Sequence, residues 1–148
     1  MTEGWVIDVS VAVKWVFPER DTPAARRILE GQAAGRWTLM APDVFLAEGA
    51  NTIWKKCRLR QEITAEEAFQ GLDFLLQTVP RLVSSSSLAG QALRLALSYR
   101  VPVYDCLYLA LALQERCGLV TADAALVRAT GPHLGMVVEL ADFAGWTR

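Results

Sequence analysis

The sequence predicts an α/β domain in which a mostly parallel sheet lies between helical layers. Short β-like runs alternate with helical patterns along its length, the arrangement that builds parallel sheets. With 148 residues, 53% of them apolar, the chain is rich enough to bury several elements around one core. No repeat, low-complexity run or linker divides it, so residues 1–148 read as one domain.

Trp5 to Asp8 reads as a strand, and Val11 to Val16 as a short helix closed by Pro18. Thr22-Pro23 looks like an N-cap followed by proline at the first helical position, opening a helix that ends near Gly35. Trp37 to Met40 is the next strand, and a longer helix spans about Asp43 to Arg58. Thr64-Ala65-Glu66-Glu67 matches a capping box and starts a helix reaching about Thr78. Arg81 to Val83 reads as a short strand, after which Ser86 or Ser87 caps a helix to about Tyr99. Tyr104 to Arg116 is a helix apolar on nearly every side, stopped by Gly118. Leu119 to Thr121 and Met136 to Val138 are further strands with a short helix between them.

Composition narrows the function. Fifteen basic residues against sixteen acidic give a net charge of −1, whereas proteins that hold nucleic acid by charge alone are strongly basic. Action on nucleic acid would need a metal ion or local basic clusters. Residues Met1 to Asp8 show no secretory pattern, and Val101 to Leu113 is broken by Pro102 and Asp105 and too short to span a bilayer. Cys57, Cys106 and Cys117 lack CxxC spacing and would leave one thiol unpaired, so reduced thiols in a cytoplasmic protein are expected. Cys106 and Cys117 fall on nearly one helical face, which suggests core packing.

Most acids sit where solvent welcomes them, such as Glu19 and Asp21 in a loop. Four do not: Asp8, Glu48, Asp105 and Asp123 each lie among apolar neighbours. Burying an ionised carboxylate costs several kcal/mol, on the order of a whole domain's margin, unless it is paired or bound to metal. Asp8 falls at a strand's carboxyl end, Asp123 just beyond another, and Asp105 in the first turn of a helix whose dipole favours negative charge. Those places can converge on one sheet edge, where open α/β sheets bind ligands. Taken singly, each also fits a bland role: Asp105 and Asp123 as helix caps, Glu48 as a partly exposed helix residue.

If the acids converge, an oxygen-only site suits a hard cation, magnesium or manganese. Zinc would want imidazole or thiolate, and the one histidine, His133, lies in a loop. Such a metal activates water and neutralises charge on a phosphate, the logic of phosphodiester hydrolysis. Two rivals stand beside this reading. A phosphatase-like enzyme would use Asp8 as nucleophile, although the dehalogenase-like kind wants a second acid where this chain has Ser10. A non-catalytic module would keep the fold for dimerisation or partner docking.

At these same residues the chain resembles the PIN-domain family, and within it the VapC-type toxins of toxin–antitoxin pairs. The resemblance runs nearly end to end, through Val6-Ile7-Asp8-Val9-Ser10, Leu46-Ala47-Glu48-Gly49-Ala50-Asn51, Val103-Tyr104-Asp105-Cys106-Leu107-Tyr108, Leu119-Val120-Thr121-Ala122-Asp123 and a closing Val138-Glu139-Leu140-Ala141-Asp142-Phe143. It implies a three-layer α/β/α sandwich, a Mg2+- or Mn2+-dependent endoribonuclease, a homodimer and a cognate antitoxin. Asp8, Glu48, Asp105 and Asp123 become an acidic quartet that holds metal, with Ser10, Asn51 and Thr121 as polar neighbours orienting ligands or water. Gly49 and Cys106 depart from the usual pattern, standing where a larger aliphatic and an alanine are common.

Lys14 and Lys55 are candidates for RNA contact, the latter in a cluster with Lys56, Arg58 and Arg60. A basic cluster at a helix end is ordinarily only solvated and dipole-matched. Trp15 and Trp54 are aromatics that stack bases in other proteins, but their apolar neighbours favour core packing.

Overall fold

The apolar runs become strands of one parallel sheet in a computed structural model that describes residues 2–145. Strands β1 (Glu3–Ile7), β2 (Trp37–Pro42), β3 (Arg81–Val83), β4 (Gly118–Thr121) and β5 (Val137–Glu139) lie in the order β3-β2-β1-β4-β5. All pairings are parallel, and β1 is central: Trp5 lies opposite both Leu39 of β2 and Gly118 of β4. Val6 and Ile7 point to opposite faces yet both are fully buried, so helices cover both sides of the sheet. Residue 1 and residues 146–148 of the expected domain lie outside the described residues.

The helices are α1 (Val9–Val16), α2 (Thr22–Ala33), α3 (Phe45–Trp54), α4 (Ala65–Gln77), α5 (Ala89–Tyr99), α6 (Val103–Glu115) and α7 (Ala124–Thr130). Helix α6 packs on β1, β2 and β4, with α5 laid against it. Its residues from Cys106 to Ala112 are all buried, as its unbroken apolar surface requires. Helix α1 packs against α2, α3 and α4. From β1 the chain builds outward to β2 and β3, then returns to the other side for β4 and β5. The order therefore reverses between β1 and β4, which opens a crevice beyond their carboxyl ends.

The expected elements are present, and several boundaries move for local reasons. The capping box forms as read, with Thr64 accepting from Glu67 N at 3.1 Å and Glu67 accepting from Thr64 N at 3.0 Å. Thr22 is not an N-cap but the first residue of α2, after Asp21 at φ 64°; its hydroxyl bonds the Glu19 backbone instead. The helix expected to run to Arg58 is α-helical only to Trp54 and continues as a π turn, Lys55–Leu59. Ser84, rather than Ser86 or Ser87, caps a short 3-10 turn before α5. Helix α6 ends on Arg116 in the left-handed region, so Gly118 is not its stop but the first residue of β4. Cys117 consequently lies beyond the helix and does not share a face with buried Cys106. Among the described residues, no helix is long and apolar enough to cross a membrane.

Candidate active site at the sheet switch point

Asp8 is the residue that leaves β1 and stands at the N-cap of α1, and its backbone N–H still reaches Val120 O of β4 at 3.1 Å. That bond pins it beside the crevice. Only 6% of it is exposed, and its Oδ2 accepts hydroxyl hydrogen bonds from Ser10 at 2.9 Å and Thr121 at 2.7 Å. Both hydroxyls are themselves fixed: Ser10 Oγ accepts from Ala122 N at 3.0 Å, and Thr121 Oγ1 from Asp123 N at 3.0 Å. Each hydroxyl therefore has its proton directed at Asp8. Burial pushes the Asp8 carboxyl above its ordinary range, and these hydroxyl bonds offset only part of that.

Asp123, at the N-cap of α7, uses Oδ1 to accept from Ala125 N at 2.9 Å and Leu126 N at 3.2 Å. The capping role read for it is thus real, and Oδ2 is left over. Asp105 lies in the first turn of α6, where no side chain caps the helix. Burial pushes its carboxyl up to about 6, with the charges of Asp8 and Asp123 adding to the rise. Glu48, in the first turn of α3, is pushed up to about 7 by burial and by the charges of Asp8 and Asp105, against a hydrogen bond from Tyr108. The charges of Asp8 and Asp123 thus reach Asp105, and those of Asp8 and Asp105 reach Glu48.

Gly49 helps bring them there. A Cβ at this position would meet Leu75 Cδ1 at 3.1 Å and Val9 Cγ2 at 3.5 Å, so its absence lets α3 sit close against α4 and the residue after Asp8. The glycine's helix-propensity cost is offset by that approach.

The other sequence candidates divide. Ser10 and Thr121 both donate to Asp8 Oδ2. Asn51 is exposed one turn after Glu48, with no side-chain hydrogen bond to the acids among the described residues. Lys55 is exposed at the start of the π turn. Lys14 is not at an open surface: it is buried and donates to Glu19 Oε2 at 3.1 Å and Arg20 O at 2.8 Å. Glu19 is correspondingly no free loop acid, since it also pairs with buried Lys56. Trp15 is buried and donates to Ala25 O at 2.8 Å, whereas Trp54 is 50% exposed and not a core residue.

One site residue escapes the sequence reading. Tyr108 is fully buried on α6, one turn after Asp105, and its hydroxyl donates to Glu48 Oε1 at 2.8 Å. Burial and the nearby carboxylates hold its phenol protonated, well above the usual range. The available signal was its spacing of three from Asp105.

The donor set fits a hard divalent cation. Among the described residues, no Lys, Arg or His pairs with any of the four acids. Cys106 turns its thiol toward Val101 O and is pushed up to about 11 by burial, which leaves oxygen as the only ligand type. No three acidic, His or Cys side chains among the described residues are drawn together into a ready-made metal cage.

The PIN domain family model matches residues 5–132, through the segments that carry Asp8, Glu48, Asp105 and Asp123. The chain belongs to the PIN domain family. A search of curated proteins returns no match to it. Solved structures share its fold. A Pyrobaculum aerophilum protein superposes with TM-score 0.70 at 18% identity, covering 99% of this chain and 96% of that one. A toxin–antitoxin complex from Klebsiella pneumoniae gives 0.60 at 19% identity, covering 91% and 96%. VapC20 of Mycobacterium tuberculosis, a toxin that cleaves the sarcin–ricin loop, gives 0.64 at 16% identity, covering 85% and 95%. At such identities the likeness is one of fold, and PIN membership rests on the family model.

Proposed function

We propose that this PIN domain is a metal-dependent endoribonuclease, the toxin half of a toxin–antitoxin pair. The observation that carries the reading is charge: burial and neighbouring carboxylates raise Asp8, Glu48 and Asp105 together at the sheet switch point, and among the described residues no Lys, Arg or His pairs with them. Asp8, Asp105 and Glu48 would hold the ion, with Asp123 supporting it through the oxygen its helix cap leaves free.

Bound magnesium or manganese supplies neutralisation of phosphate charge and acidifies water, chemistry this chain's carboxylates do not provide alone. Ser10 and Thr121 keep the Asp8 carboxylate oriented and favour its ionised form against the burial that opposes it. Water attacks phosphorus in line and leaves a 5′-phosphate and a 3′-hydroxyl, with the RNA 2′-hydroxyl taking no part. Asp8 is buried with Oδ2 tied to two hydroxyls, an arrangement better suited to ligation than to nucleophilic attack, which disfavours a phosphatase-like use.

Lys55 would meet an RNA phosphate away from the cut, a role that its exposure seven residues after Glu48 supports. Apolar side chains left in solvent, among them Phe69 at 70% and Leu97 at 75% exposure, support covering partners, an antitoxin and a second copy. The decisive test incubates the protein, freed of antitoxin, with total RNA in manganese, in chelator, and beside Asp105→Asn. Discrete fragments with 5′-phosphates are expected only from the unmodified protein with metal. Metal-independent cleavage, or cleavage retained by Asp105→Asn, would overturn the reading.

A further inference from the structure

Glu48 reaches the crevice from α3, a helix separate from the strand ends and from α6, and a glutamate carries one more rotatable bond than an aspartate. A side chain of that length does not hold one geometry unaided. Tyr108 offers the aid. Its ring is fully buried among the α6 residues that pack on the sheet, so its hydroxyl has a fixed position. That hydroxyl donates to Glu48 Oε1 at 2.8 Å, across 60 residues of sequence.

We propose that Tyr108 is the positioning residue of the metal site, clamping Oε1 of Glu48 so that Oε2 alone is presented to the cation. The inference rests on the reading of Glu48 as a metal ligand. Asp105 and Tyr108 stand one turn apart on α6, so a single rigid helix both supplies one acid and sets the orientation of another. Among the described residues Oε2 of Glu48 has no hydrogen-bond donor, as a ligand atom held ready should not. The hydrogen bond to Oε1 would leave Oε2 as the carboxylate oxygen with no competing donor.

The bland alternative is that Glu48 merely satisfies a buried phenol. The two differ in what depends on them. Manganese is titrated calorimetrically into the unmodified chain, Tyr108→Phe, Glu48→Ala and the double variant, with thermal midpoints in chelator as a fold control. Tyr108→Phe keeps the ring and removes only the oxygen, and it is expected to weaken manganese binding roughly 10- to 100-fold, the usual loss for a residue orienting a ligand. The double variant is expected to bind no more weakly than Glu48→Ala, because the clamp has nothing left to hold. Unchanged manganese affinity in Tyr108→Phe overturns the inference alone, as does a further loss of equal size in the Glu48→Ala background. Absence of manganese binding by the unmodified chain overturns the metal reading and this inference with it.

Discussion

Two places in this protein gather partly buried charge, and they are built in opposite ways. Beside the π turn, Glu19 receives two buried ammonium groups, from Lys14 and Lys56, whose side chains are 11% and 6% exposed. Burial alone would raise Glu19, yet the two lysine hydrogen bonds outweigh it and the carboxyl falls below its ordinary value. At the sheet switch point, Asp8, Glu48 and Asp105 all rise, because burial and neighbouring carboxylates act in one direction and only hydrogen bonds from neutral groups oppose it. The first cluster is complete within the chain and holds α1 to the π turn. The second has, among the described residues, no cation of its own. Perturbed carboxylates lacking a partner of their own are the signature of a site rather than of a brace.

Breaking each cluster should therefore do opposite things. Asp105→Asn is expected to reduce RNA cleavage at least about 100-fold while raising the metal-free melting temperature by about 2–4 °C, since it relieves repulsion that the fold otherwise bears. Cleavage assays and thermal melts in chelator check both halves, and a variant that is both inactive and less stable would argue against the contrast. Glu19→Gln should invert this pattern. It strands two lysines that keep only weaker partners, Arg20 O for Lys14 and Glu62 at 3.4 Å for Lys56. Because the Glu19 carboxylate also meets solvent, the expected loss is about 1–2 kcal/mol, or about 3–6 °C, with cleavage at a permissive temperature unchanged.

The same contrast explains what the sequence does and does not disclose. Asp8, Glu48, Asp105 and Asp123 are visible because a carboxylate among apolar neighbours is anomalous whatever the fold. Ser10 and Thr121 are visible only through the family resemblance, by their places in its motifs. Tyr108 is hidden because α6 is buried all round, and a helix without a polar face gives no direction to any one of its side chains. Lys14 and Lys56 are hidden for a different reason: their partner Glu19 sits in a Pro-containing loop that local reasoning assigns to solvent. Only tertiary packing carries both ammonium groups to it. The strand order was open too, since alternation of strands and helices predicts parallel pairing without saying where the order reverses.

A smaller effect sharpens the comparison through pH. A carboxyl raised in the folded state binds its proton more tightly there than in the unfolded chain, so its contribution is fully present below the unfolded value and is lost as pH rises through the folded one. For Asp105 and Glu48, at about 6 and about 7, the metal-free melting temperature should fall between pH 5 and 8, by about 2–4 °C once their partial exposure is allowed for. Glu19 has the opposite sign: its lowered carboxyl stabilises above its unfolded value and is lost only as pH drops further into acid. The Asp105→Asn advantage should thus grow from pH 5 to 8, while the Glu19→Gln deficit stays flat over that window. Manganese should cancel the alkaline decline, because a cation that favours the ionised acids returns what their repulsion removes. A decline that persists with manganese at saturation would mean that the raised carboxyls lie outside the ion's reach, and the metal would then have to be placed elsewhere.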